Sequence, residues 1–245
     1  MKKILIIGAT SSIAKHCARL WATHKSIFFL VARDQSHLKI IKNDLIIRGA
    51  ANVFIYKMDV NHFTSHSKML KKAQQTLKDI DTVLIAHGSL PNQKACELHI
   101  KIGLQEISTN AISSIALLSE IANYFEQKKK GTIAIISSVA GDRGRASNYF
   151  YGSAKAMIST FASGLRQRLH RSNVAVVTIK PGLIDTPMTS EFNKGFLWST
   201  PEKIAKKIIN AIDQKKSEVY VPSYWQYIMF LIKNIPHFIF NRIKF

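Results

Sequence analysis

Short unbroken apolar runs alternate along the chain with longer stretches in which apolar positions recur every three or four residues. Lys3–Ile7, Ile27–Ala32, Val53–Lys57, Thr82–Ala86, Thr132–Ile136, Val174–Ile179 and Val219–Val221 read as strands. Ser12–Thr23, Gln35–Arg48, Ser67–Leu77, Lys101–Phe125, Asn148–His170 and Pro201–Ile212 read as helices. Strands rich in Ile, Val and Leu, without polar alternation, are buried on both faces. That requires a parallel sheet covered by helices on each side. Right-handed crossovers then give a doubly wound α/β sheet of about seven strands.

A length of 245 residues suits one such domain, and 47% hydrophobic content excludes general disorder. The only cysteines, Cys17 and Cys96, form no CxxC and no Cys/His cluster, so no metal site is expected and a reducing, cytoplasmic setting fits. The opening Met1–Ile7 is too short in its apolar part for a signal peptide, and no apolar run reaches spanning length. Thirty-five Lys and Arg against 15 Asp and Glu give a net charge of +20. Such a field draws polyanions or keeps the chain soluble. No nucleic-acid-binding motif accompanies it, so no nucleic-acid partner is expected.

The loop Gly8-Ala9-Thr10-Ser11-Ser12-Ile13-Ala14 joins the first strand to the first helix. There the backbone turns tightly and can present N–H groups to a pyrophosphate, so Gly8, Thr10, Ser11, Ser12 and Ile13 are cofactor candidates. Strand two ends at Ala32, where NAD-binding folds commonly place an acid, and Arg33 follows. An arginine there can pair with a 2′-phosphate, which favours NADP and leaves NAD open; the alternative is a solvent-facing loop arginine. Asp59 and Val60 either cap the adenine or form the turn into the next helix.

Tyr151 and Lys155 stand at i and i+4 on one helix face. An ammonium beside a phenol is expected to lower the phenol's pKa and ready it for proton exchange. Ser138 lies 13 residues upstream, just past a strand. Asn110 is a polar residue inside an apolar helix, costly unless it has a partner. Pro181 and Gly182 break the chain at the sheet's carboxyl edge. In this order, over about residues 3–221, these features resemble the short-chain dehydrogenase/reductase family, of Rossmann-type fold. The resemblance implies Tyr151 as general acid/base and Lys155 as the group lowering its pKa and holding the nicotinamide ribose. It implies Ser138 as the holder of the substrate oxygen and Asn110 as the holder of a relay water. Thr186 and the backbone at Ile184 would fix the carboxamide. It also implies a dimer or tetramer. The chain departs from the family in two places. Ser12 and Ala14 replace glycines of TGxxxGxG, and Ala86-His87-Gly88 replaces Asn-Ala-Gly. His87 either faces the cofactor ribose or is a tolerated strand-end residue.

A narrower resemblance rests on the GATSSIA loop, on Asp142–Lys155 and on Val219–Pro222 with the tail beyond. It is to the reductase component of decaprenylphosphoryl-ribose 2-epimerases, which reduces a keto-pentose on a polyprenyl phosphate. Arg143 and Arg145 would then rim the site and grip a phosphodiester, or else sit in solvent. Residues 1–222 read as the catalytic domain and 223–245 as an amphipathic tail. In the tail Tyr224, Trp225, Tyr227, Phe230, Phe238, Phe240 and Phe245 mix with Lys233, Arg242 and Lys244 around Pro236. Such a tail suits one helix or two lying on the inner face of an anionic membrane, or packing at a subunit interface. The alternatives in function are a reductase of a soluble steroid-like or acyl carbonyl and, in another class, a non-catalytic NAD(P)-binding sensor or scaffold.

Overall fold

The computed structural model describes residues 1–243; Lys244 and Phe245, counted above in the tail's pattern, lie outside the described residues. Seven parallel strands form one sheet: β1 (Lys3–Ile7), β2 (Ile27–Ala32), β3 (Asn52–Lys57), β4 (Thr82–Ile85), β5 (Gly131–Ile136), β6 (Val174–Pro181) and β7 (Glu218–Val221). Their order is β3-β2-β1-β4-β5-β6-β7. The order reverses between β1 and β4, the place where open α/β sheets leave a crevice at their carboxyl edge.

The apolar strands feed two cores. On one face Ile4, Ile6, Phe28, Leu30 and Val177 pack against α1 (Ser12–Ala22), α2 (Gln35–Ile47) and α8 (Pro201–Asp213). On the other, Leu5, Ile7, Val83, Ile133 and Val176 pack against α3 (Ser65–Leu77), α6 (Ser113–Lys128) and α7 (Tyr149–Leu169). Neighbouring residues of one strand thus serve opposite cores, as the two-residue period of a strand requires.

Two elements differ from the sequence reading. A short helix, α4 (Gln93–Leu98), precedes the long one. The stretch expected as one helix over Lys101–Phe125 is α5 (Ile100–Ile107), a π-helical segment (Ser108–Ile112) and then α6. A π segment carries an extra residue per turn and turns side chains off the regular stripe, often at a working site. Asn110 sits in its middle.

The tail forms α9 (Trp225–Asn234) and α10 (His237–Phe240), with Pro236 between them. Trp225 and Met229 are buried with Val139 in a small third core, and Ile228 and Ile232 pack against it. The tail is therefore seated on the turn that follows β5.

Candidate active site

Two clefts run along the carboxyl ends of the strands and share His87, Gly88, Ser89 and Thr186. The longer, about 600 Å³, is lined by Gly8, Thr10, Ser11, Ser12, Ile13, Arg33, Asp59 and Val60. The smaller, about 110 Å³, is lined by Asn110, Ser138, Tyr151, Lys155, Pro181, Gly182 and Ile184. Every cofactor and catalytic candidate read from the sequence lines one of the two.

At the nucleotide end Gly8 has φ +81°, and a Cβ there would lie 2.4 Å from the backbone nitrogen of His87. Only glycine permits that conformation and that crossing of β1 by the end of β4. Ser11 occupies the cap position of α1, yet its hydroxyl accepts no hydrogen bond from the first turn. The N–H groups of a helix start left uncapped by a side chain suit an anion. Ala14 is buried in the core and Ser12 half-buried, so the two glycine replacements fit without crowding the turn.

Arg33 is exposed on the cleft, and Lys15, which the sequence reading did not single out, lines it too. The neighbouring acid, Asp34, faces away: its carboxylate accepts from the His37 backbone N–H (3.0 Å) and contacts the His37 ring (3.0 Å), capping α2. Asp59 Oδ1 accepts from the Asn61 N–H at 2.9 Å, so it shapes the turn after β3 while lining the cleft. The geometry of the donor set (uncapped helix start, two cations, no free acid at the end of β2) fits a phosphorylated dinucleotide.

At the catalytic end Ser137 Oγ contacts the Lys155 carbonyl at 3.0 Å and bolts the end of β5 to α7. This seats Ser138 against Tyr151. Lys155 is buried, its Nζ donating to the Ile136 carbonyl at 3.2 Å and standing 5.5 Å from the centre of the Tyr151 ring. Burial pushes the amine down to about 8. The Tyr151 phenol is pushed up to about 12 by burial, with a hydrogen bond to Ser138 pulling the other way. This corrects the expectation that Lys155 lowers the phenol. The ammonium is bonded to a carbonyl and stands over the ring, so burial wins.

Asn110 is buried and fully engaged. Its Oδ1 accepts from the Ser89 N–H (3.0 Å), and its Nδ2 reaches Ser89 Oγ (3.2 Å), the Glu106 carbonyl (3.1 Å) and Glu106 Oε2 (3.2 Å). Ser89 also donates to the Glu106 carboxylate. Glu106 and Ser89 were not foreseen; the signal was Glu106 lying one turn before Asn110. His87 straps β4 to α6. His87 Nε2 lies 2.8 Å from Ser113 Oγ and 3.1 Å from Ser114 Oγ, and Ser113 Oγ donates to the Thr109 carbonyl. Burial holds the imidazole down to about 3, hence neutral. Of its two readings, the strand-end role matches these contacts. Past β6, Thr189 Oγ1 donates to the Ile184 carbonyl (2.7 Å) and accepts from the Thr186 N–H (3.1 Å), fixing the loop that carries both candidates.

The arginines expected to grip a phosphodiester are turned to the tail instead. Arg143 Nη1 donates to the carbonyls of Ile232 (2.5 Å) and Ile235 (2.7 Å), capping α9, and its guanidinium lies 3.7 Å from the centre of the Phe240 ring. Arg145 Nη2 contacts Met229 Sδ at 3.4 Å. The last carbonyls of a helix lack backbone partners and carry negative partial charge, so they draw a guanidinium that the open rim does not hold. Beneath them Lys180 pairs with Asp142 (2.7 Å) and Glu218 (2.9 Å), and Tyr220 OH donates to Asp142 (2.7 Å). This group, with Lys180 and Asp142 buried and Glu218 at its exposed edge, ties the loop after Ser138 to β6 and β7. A Cβ at Gly182 would lie 1.9 Å from Trp225 Nε1, so the tail's indole presses directly on the chain entering the site.

A family model for the short chain dehydrogenase matches residues 2–196. An uncharacterised oxidoreductase of Mycobacterium tuberculosis (strain ATCC 25618 / H37Rv) is 28% identical over 240 residues, covering 98% of this chain and 96% of its own. The NADP-dependent 3-hydroxy acid dehydrogenase of Schizosaccharomyces pombe (strain 972 / ATCC 24843) is 27% identical over 231 residues, covering 89% of each. A short-chain type dehydrogenase/reductase from Mycobacterium ulcerans has the same fold, with TM-score 0.82, 17% identity and coverage of 89% of this chain and 87% of that one. With the family model spanning most of the chain, the protein belongs to the short-chain dehydrogenase/reductase family and is an NAD(P)-dependent oxidoreductase.

Proposed function

We propose that the chain is an NADPH-dependent reductase of a carbonyl on an amphiphilic substrate. The observation that carries this reading is the convergence of Ser138, Tyr151, Lys155 and Asn110 on one small cleft that opens into the long nucleotide cleft. The nicotinamide supplies the hydride when bound. The start of α1 holds the pyrophosphate, and Arg33 with Lys15 holds the 2′-phosphate. Ser138 orients the substrate oxygen, and Tyr151 gives it the proton. A phenol near 12 is fully protonated at neutral pH, which suits an acid in the reductive direction. Lys155 holds the nicotinamide ribose, and Asn110, fixed by Ser89 and Glu106, keeps the relay side of the site in place.

The substrate class follows from the apolar rim: Leu183, Met188 and Phe192 are exposed on the loop beside the cleft. The keto group of a polyprenyl-phosphate-linked sugar is the substrate we favour, reached by peripheral contact with an anionic membrane on the cytoplasmic side. The buried free thiols of Cys17 and Cys96 fit that compartment. A homo-oligomer is supported by Leu104 and Ile112 near Asn110 and Met157 on α7, which leave apolar surface uncovered. A second reading, a soluble 3-oxo acid or similar acyl carbonyl, is favoured by the name of the fission-yeast relative.

Fluorescence titration with NADPH and NADH tests the cofactor. NADPH should bind about tenfold or more tighter; equal affinity removes Arg33 and Lys15 as a phosphate clamp. Turnover of a polyprenyl-phosphate keto-pentose in mixed vesicles, set against a soluble 3-oxo acid, separates the two substrate readings.

A further inference from the structure

A third cleft, of about 630 Å³, lies on the far side of the loop that follows β6. It is lined by Phe196, Trp198 and Tyr224 and by Lys203, Lys206 and Lys207 on α8; Glu202 also lines it, its carboxylate 3.8 Å from His16 Nε2. Among the described residues those three lysines form no ion pair. Phe196 is 94% exposed, and Tyr224 OH donates to the Leu197 carbonyl at 2.9 Å, joining the loop to the start of the tail.

From that cleft an apolar stripe continues outward. Tyr227 stands three residues after Tyr224, and Phe230 and Leu231 stand three and four after Tyr227, so they share one face of α9. Tyr227 is 74% exposed, Phe230 and Leu231 66% each, and Phe238 on α10 70%. The opposite face, Trp225 and Met229, is already buried. A helix at the surface of a water-soluble domain normally turns charge outward. This one is apolar on both faces, and Arg143 fixes its C-terminus, so the outer face is a rigid platform. No acidic residue occurs after Glu218, whereas Lys233 and Arg242 are exposed beside the stripe. Apolar rings flanked by exposed cations complement a surface with an anionic skin and a hydrocarbon interior.

We propose that the chain docks on anionic phospholipid bilayers through the outer face of α9 and α10, seating a lipid phosphate among Lys203, Lys206 and Lys207 in the third cleft. This rests on the peripheral-membrane reading above and adds a headgroup site. The back of that cleft is stitched to the active-site loop: the Ser199 N–H donates to the Leu183 carbonyl (3.0 Å) and the Asp185 N–H to the Ser199 carbonyl (2.9 Å). The docked face and the mouth of the site therefore lie on one loop.

The test is sedimentation of the full chain with vesicles of phosphatidylglycerol and phosphatidylcholine, against phosphatidylcholine alone. It compares wild type, Lys206→Glu/Lys207→Glu, and Phe230→Ser/Leu231→Ser. Wild type should favour the anionic vesicles by about tenfold or more. Reversing two cations shifts the charge by four units, and at about fivefold per unit near an anionic surface it should cut that binding by about five hundredfold. The apolar variant should release the protein from both vesicle types. NADPH titration checks that each variant keeps its fold. Undiminished binding of the lysine variant overturns the headgroup cleft while the peripheral reading stands. Failure of wild type to bind any vesicle overturns both. If inorganic phosphate at millimolar concentration displaces the protein no more than chloride of equal ionic strength, the site reads phosphate only within a bilayer, as proposed. If Phe230→Ser/Leu231→Ser instead turns a dimer into a monomer without vesicles, the face belongs to a second copy and the proposal falls.

Discussion

The two ends of the active-site cleft are built in opposite ways. The nucleotide end works through backbone: an uncapped helix start, a glycine under a crossing strand, and small side chains that stay out of the way. The catalytic end works through side-chain atoms, each held by named partners: Lys155 by Ile136, Asn110 by Ser89 and Glu106, Ser138 by its contact with Tyr151. A backbone site tolerates substitution so long as the turn survives, and here two family glycines are Ser12 and Ala14. A side-chain site tolerates almost none, because its chemistry resides in the atoms replaced.

The contrast sets the order of expected effects. Tyr151→Phe removes the acid and should lower kcat about a thousandfold, within the usual range for general acid catalysis, while NADPH affinity stays within about threefold. Turnover retained in single-turnover kinetics would remove Tyr151 from the role. The next effect is on stability. Lys155 titrates near 8 in the folded protein and near 10.5 in the unfolded chain. Between those values the unfolded chain binds more protons, so stability should rise with pH from about 8 to 10, by up to about 3 kcal/mol. Above about 10 the raised Tyr151 acts in the opposite sense, since the folded state then holds the extra proton. Urea unfolding across that range should show the rise in wild type and its loss in Lys155→Met. Arg33→Ala should weaken NADPH about tenfold and leave NADH unchanged, read by the same fluorescence titration. The smallest effect tests the backbone end: Ala14→Gly should leave NADPH affinity within about threefold and cost about 1 kcal/mol of stability through the helix. A large gain in affinity there would mean that the missing glycine had impaired the site.

The same contrast governs what the sequence made legible. All seven strands were legible because strands buried on both faces read as continuous apolar runs, and their expected bounds fall within two residues of the observed ones. The catalytic four were legible because their identity is their function. Glu106 stands one turn before Asn110, but the partner that joins them, Ser89, lies 17 residues before Glu106 on another element, and no motif marks the three together. The group of Asp142, Lys180, Glu218 and Tyr220 was hidden by chain distance, since partners on three separate elements share no spacing. Arg143 looked like a rim residue because sequence shows that the tail is aromatic on every side but not which side is buried. α4 is only six residues long, too short for a helical period to declare itself.

The contact of Trp225 with Gly182 has a consequence for biosynthesis. Ribosomes deliver Tyr151, Lys155 and the nucleotide loop long before the tail, so a nascent or truncated chain carries its catalytic groups without the indole that covers the chain entering the site. It also lacks the helix that Arg143 caps, leaving that cation and the apolar patch at Val139 bare. A chain truncated before Trp225 should therefore be cut more readily by proteases than one that carries both helices.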